Sequence, residues 1–144
     1  MSFTITKKKL LFSGNYLSLW KSFFLDKSGI EQTYEWVEGK RAVFIFPITR
    51  EGKVILIKNF RIPLEQYVIE MPAGLMDKEG EIPEDTARRE LFEETGYVAT
   101  RFIPLRSWPY RSGSSNGIAC GFIATGLEKM TSVVGDPTED LEIL

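Results

Sequence analysis

The stretch that most constrains this chain is Arg89-Glu90-Leu91-Phe92-Glu93-Glu94-Thr95-Gly96-Tyr97. It reads as the last turns of a helix that begins near Pro83. Proline suits the first helical position, where its missing N–H has no intrahelical acceptor to leave empty. Glu84 and Asp85 put negative charge at the positive end of the helix dipole. Gly96 stands where the helix is expected to stop, because glycine takes the left-handed turn without a Cβ clash. Glu90 and Glu94 are four apart and Glu90 and Glu93 three apart, so the three carboxylates share one helical face, with Cβ atoms about 5–6 Å apart. Three like charges that close repel one another, and stability alone does not favour them. A divalent cation turns the repulsion into binding, since hard Mg²⁺ prefers carboxylate oxygens and keeps waters and substrate phosphates as its other ligands. A solvated acidic face is the plainer explanation. Against it, Arg89, Glu90, Glu93, Glu94 and Gly96 all stand at fixed offsets, a coincidence of roughly one in 10⁴ for a chain of this size at average residue usage.

Around that helix the chain alternates short apolar runs with turn signals. The 144 residues are expected to form one domain, and 43% apolar residues suffice for a sizeable core. Lys7-Lys8-Lys9 reads as the solvated edge of a strand. Tyr16–Leu25 and Glu31–Glu38 read as an antiparallel hairpin with Tyr34 and Trp36 on one side. Arg41–Pro47 and Val54–Phe60 are near-continuous apolar strands, expected to be covered on both faces. After the helix, Thr100–Leu105, Ser107–Trp108 and Ile118–Thr125 are predicted strands; Gly126–Thr138 is a predicted loop, and Glu139–Leu144 starts a further strand. Strands on both sides of one helix imply an α/β layered domain with a mixed sheet.

Composition closes off several chemistries. There is no histidine, which excludes a Ser-His-Asp triad, a Cys-His pair and histidine-ligated zinc. The single cysteine, Cys120, lies in an apolar run and allows no internal disulfide, which fits a reducing cytoplasm. A net charge of −2 offers no basic surface for nucleic acid. Apolar runs such as 43–48 are too short to cross a bilayer, and the N-terminus has no signal-peptide pattern. No nucleic-acid or membrane partner is therefore expected, and the location expected is cytoplasmic.

The acidic stretch resembles the C-terminal half of the Nudix box, Gly-x5-Glu-x7-Arg-Glu-U-x-Glu-Glu-x-Gly-U, where U is a bulky apolar residue. Glu81 lies eight residues before Arg89, as the pattern asks. Gly74 is followed by six residues before Glu81 where the pattern has five, so the Leu75–Gly80 loop is one residue longer, which is read as a tolerated insertion. The resemblance covers most of the chain and implies the Nudix α/β/α sandwich: N-terminal antiparallel strands over residues 1–40 and a catalytic core over 41–144, all within one Nudix domain. Members of this type commonly continue for a further strand and helix. The chain ends at Leu144, so the C-terminal part is expected to be truncated, with dimerisation through the N-terminal strands as compensation.

Outside the box, Asn59-Phe60-Arg61, Glu70-Met71-Pro72-Ala73-Gly74, the loop Trp108–Gly113 and Glu139-Asp140-Leu141-Glu142 are similar to segments of ADP-ribose pyrophosphatases and related nucleoside-diphosphate-sugar hydrolases. The resemblance implies Mg²⁺, or Mn²⁺, held by Glu90, Glu94, Glu93 and the backbone carbonyl of Ala73 in a tight Pro-Ala-Gly turn. Gly74, Glu81, Arg89 and Gly96 are then the structural residues of the box. Metal at a diphosphate neutralises its charge and activates a water for in-line attack, and a further carboxylate takes the proton. The candidates for that base are Glu139, placed first, Glu142 and Glu93. Arg61 and Arg111 are candidate phosphate clamps, and Trp36 is a candidate surface for stacking a base. The implied activity is cleavage of ADP-ribose to AMP and ribose 5-phosphate. The alternatives are a nucleoside-triphosphate or cap-type pyrophosphohydrolase, and a nucleotide-sensing Nudix domain without turnover.

Overall fold

A computed structural model describes residues 3–130 and 141–144. These residues fall into two compact units. One is built from the chain up to Lys40 together with Pro109–Ile118; the other from Arg41–Trp108 and the chain from Ala119 onward.

The first unit is an antiparallel sheet, β1 (Thr4–Ser13), β2 (Ser18–Leu25) and β3 (Glu31–Val37), in the order β1-β2-β3. The Asp26–Ile30 turn that joins β2 to β3 is held by the Asp26 carboxylate, which accepts the amides of Ser28 and Ile30. Val37 donates its amide to the Ser114 carbonyl, and Gly39 donates to the Asn116 side chain, so the 109–118 loop is tied to the end of β3. The edge strand β1 is exposed along its whole length. Lys7 and Lys8 lie over the rings of Phe23 and Trp36.

The second unit carries β4 (Arg41–Pro47), β5 (Ile57–Arg61), β6 (Gln66–Glu70), β7 (Ala73–Leu75), α1 (Pro83–Thr95), β8 (Tyr97–Pro104), β11 (Leu141–Ile143) and, apart from the boundary residues Pro109 and Ile118, β9 (Trp108–Pro109) and β10 (Ile118–Lys129). Its main sheet runs β7-β4-β10-β8, and a three-stranded sheet runs β11-β5-β6. Among the described residues α1 is the one α-helix. It packs against β4, β7 and β8. Ala87 and Leu91, one turn apart, meet Val43, Ile45, Phe102, Cys120, Phe122 and Ala124 in the core. The helix starts at Pro83 and ends on Gly96, whose φ of 68° is the left-handed conformation expected of a C-cap.

Four expectations change. The predicted strand Val54–Phe60 begins only at Ile57. Val54 is exposed and forms an isolated bridge with Ile48 across the Thr49–Lys53 turn, so the hairpin uses up the first residues of the apolar run. The strand after the helix starts at Tyr97 rather than Thr100, and β10 continues past Thr125 to Lys129, because Leu127 and Lys129 pair with Ala99 and Tyr97. Ala73 and Gly74, expected in a tight turn, lie in strand β7, paired with Phe44 and Val43.

Candidate active site

The box residues gather where α1 passes β7. Arg89 is at the centre and only 17% exposed. Its Nε donates to Glu81 Oε1 at 3.0 Å, and a terminal nitrogen reaches Glu81 Oε2 at 3.3 Å. The other terminal nitrogen donates to Glu90 Oε1 at 2.6 Å and to Glu93 Oε2 at 2.8 Å. The guanidinium also touches the Leu75 carbonyl and lies 3.6 Å from Asp77. A planar five-donor fork can serve several carboxylates at once, which a lysine cannot do in this geometry. These partners raise the Arg89 pKa further above its already high value, Glu81 contributing most, while burial acts against them. Glu81 responds in the opposite direction. Its carboxyl is held below the ordinary value, first by the Arg89 hydrogen bond, with burial opposing and Thr86 assisting. The longer loop before Glu81 is thus compatible with the contact to Arg89.

Glu90 and Glu94 meet β7 from the helix side. A Cβ on Gly74 would lie 2.0 Å from the Glu90 carboxyl carbon, so only glycine lets that carboxylate rest against the strand. Glu94 is almost fully buried and accepts the Ala73 amide at 2.9 Å. Glu93, one position before it, is 44% exposed. The local cause is helical phase: residues 87, 91, 94 and 95 face the sheet, whereas 89, 90 and 93 lie along its rim.

The ligand atoms presented beside β7 are the carboxylate oxygens of Glu90 and Glu94. This set suits a hard cation that uses one or two carboxylates and fills its other positions with water and phosphate. Among the described residues no three acidic, thiol or imidazole side chains are already drawn into one coordination shell, and Arg89 occupies oxygens of Glu90 and Glu93. The arrangement fits an open site completed by substrate rather than a closed protein cage.

Arg61 grips Glu70, with Nε 2.9 Å from Oε2. Glu142 pairs with Lys58 at 2.8 Å across β11 and β5. Glu139 lies outside the described residues. Arg111, in the first unit, is exposed with φ of 56°, and its carbonyl accepts the amides of Ser114 and Ser115. Trp36 stacks on Trp20 with ring centroids 6.0 Å apart and donates to Ser22 at 2.9 Å. It also lines a cavity of about 290 Å³ with Lys8, Tyr34, Ser112 and Ser115. Two members of the Arg89 network, Asp77 and Thr86, carried no periodic or spacing signal in the sequence.

The fold and the interlocked Arg-Glu-Glu-Glu helix define a hydrolase domain of the Nudix type. Residues 39–140 match the family described as NUDIX domain, and the chain belongs to the Nudix hydrolase family. Such hydrolases generally act with a divalent cation. The chain is 39% identical over 124 residues to the ADP-ribose pyrophosphatase of Bacillus subtilis strain 168, a match covering 86% of this chain and 66% of that protein. It is 34% identical over 139 residues to the methanol dehydrogenase activator of Bacillus methanolicus, covering 96% and 75%. The chain thus spans just under two thirds of the Bacillus subtilis protein's length. A crystal structure of an ADP compounds hydrolase superposes with a TM-score of 0.86 at 24% identity, over all of this chain and 77% of the other, and shows the same fold. No helix among the described residues is long and apolar enough to cross a membrane.

Proposed function

We propose that this protein hydrolyses the diphosphate bond of a nucleoside diphosphate linked to a sugar, with ADP-ribose, cleaved to AMP and ribose 5-phosphate, as the leading substrate. The observation that carries the reading is the pair of carboxylates, Glu90 and Glu94, set against the β7 backbone by Gly74 and the Ala73 amide. The names of the similar proteins support the substrate class.

In this reading Glu90, Glu94, Glu93 and the Ala73 carbonyl hold Mg²⁺, or Mn²⁺ in its place. When bound, the ion neutralises the diphosphate and lowers the pKa of an attacking water. Arg89 bridges Glu90 and Glu93 through one terminal nitrogen, offsets their mutual repulsion and limits their motion. A carboxylate takes the water's proton. Of the two described candidates, Glu93 is the better situated, since it joins the cluster through Arg89 whereas Glu142 is paired with Lys58. Glu139 stands as the third candidate. Arg61, whose fork holds Glu70, and Arg111 are the candidate phosphate contacts, and Trp36, the candidate surface for the base, already carries Trp20 and Lys8 against its ring. The partner is a second copy of the chain, engaged through the N-terminal strands. Supporting this, the wholly exposed edge strand β1 carries Ile5, Leu10, Leu11 and Phe12. The location is cytoplasmic.

The test is a panel of ADP-ribose, other nucleotide sugars and nucleoside triphosphates with and without Mg²⁺, read by mass spectrometry of products. Metal-dependent release of a nucleoside monophosphate from the nucleotide sugars is expected. Faster release of pyrophosphate from triphosphates would overturn the substrate class. Glu94→Gln keeps an oxygen for the Ala73 amide but loses the negative charge, so the rate should fall by at least about 10²-fold with the fold retained.

A further inference from the structure

The Nudix box leaves the residue at position 86 unspecified, yet here it is a threonine with no exposed surface. A hydroxyl in that setting needs a partner. Thr86 Oγ1 donates to Glu81 Oε2 at 2.9 Å, with a second, longer approach of 3.4 Å to the Ile82 carbonyl. Valine would fill the same space without the hydroxyl. What the hydroxyl adds is therefore a contact, not volume.

That contact has an onward path. Glu81 uses both oxygens: Oε1 accepts Arg89 Nε, and Oε2 accepts Thr86 and, at 3.3 Å, an Arg89 terminal nitrogen. The far nitrogen of the same planar guanidinium holds Glu90 and Glu93. A guanidinium is rigid, so a tilt at its Glu81 edge is carried to its Glu90 edge. Glu90 has little freedom to compensate, because Gly74 lies directly beneath its carboxyl group.

We propose that Thr86 is a positioning residue that sets the affinity of the carboxylate cluster for a divalent cation, acting through Glu81 and Arg89 on Glu90 and Glu93. The inference rests on the reading of Glu90 and Glu94 as metal ligands. Thr86 touches neither ion nor substrate; it fixes the rotamer of the residue that aims the arginine. Losing one hydrogen bond of this kind should weaken cation binding about three- to tenfold, below the 10- to 100-fold loss usual for a direct partner of a ligand.

The experiment uses the full chain and Mn²⁺ as the probe, following the free-ion signal by electron paramagnetic resonance. Thr86→Val should bind Mn²⁺ about three- to tenfold more weakly than wild type, and Thr86→Ser, which restores the hydroxyl, should return to within about twofold. In a Glu81→Gln background, Thr86→Val should add less than it does alone, because the acceptor charge is already gone. Thr86→Ala replaces Thr86→Val if the valine variant does not fold. Wild-type affinity in Thr86→Val, or failure of Thr86→Ser to recover, would overturn the proposal. A wild type that binds no Mn²⁺, or a Glu90→Gln variant that binds as wild type does, would instead overturn the ligand reading and the inference with it.

Discussion

In the box network one largely buried arginine hydrogen-bonds three carboxylates and has a fourth, Asp77, 3.6 Å away. In the N-terminal sheet an entire strand of ten residues is exposed, with Ile5, Leu10, Leu11 and Phe12 among them. The two regions handle unfavourable groups differently. Around Arg89, charges that would repel are brought together and satisfied within a single helix and its neighbours. In β1, apolar side chains are left in solvent by their own unit, and two lysines cover the rings of Phe23 and Trp36 instead. Interlocked polar groups lose geometry when one member is removed, because the others were oriented by it. An exposed apolar strand loses little by itself, but loses whatever docks on it.

The sharpest way to break this contrast is Gly74→Ala. The added methyl collides with the end of the Glu90 side chain rather than with backbone, so the chain should fold while the carboxylate is displaced. Hydrolysis should drop about 10- to 100-fold at limiting metal, with far-ultraviolet dichroism unchanged. Loss of folding would show that the network is structural first.

A smaller effect is expected in acid. Glu81 titrates below its ordinary value near 4.5 because Arg89 favours its charged form. A lowered carboxylate adds stability that is complete above the ordinary value and fades as pH falls through the lower, folded-state value. Glu81→Gln should therefore have a lower thermal midpoint than wild type at neutral pH, and the gap should close below about pH 4.5. A gap that stays constant across that range would mean that the loss is packing, not charge.

The smallest intrinsic effect belongs to the sheet. Phe12→Ser should change the stability of the isolated fold by no more than about 0.5 kcal/mol. If the second copy docks on β1, the same change should shift sedimentation from dimer toward monomer. An unchanged dimer would place the interface elsewhere.

Much of the candidate site's local geometry was legible from spacing. The limits of α1, the shared face of Glu90 and Glu93, and the reach of Arg89 to Glu93 all follow from 3.6 residues per turn and from Pro83 and Gly96 at the ends, whereas Glu94, expected on that same face, is turned to the sheet and buried. Strand Arg41–Pro47 was equally legible, since a continuous apolar run of that length fits a covered strand. The partners of Arg61 and Glu142 were not. Arg61 is bound to Glu70 because β5 and β6 pair antiparallel, and Glu142 meets Lys58 because β11 adds to β5. Neither register can be read from one strand alone.

The sequence by itself determined the helix and the order of its carboxylates, because those interactions join residues within a turn or two of one another. Only the tertiary structure decided that Ala73 and Gly74 run as a strand beneath Glu94 and Glu90, and that Asp77 and Thr86 join the Arg89 network. These depend on how a loop and a strand return to the helix, a closure that sequence spacing does not specify.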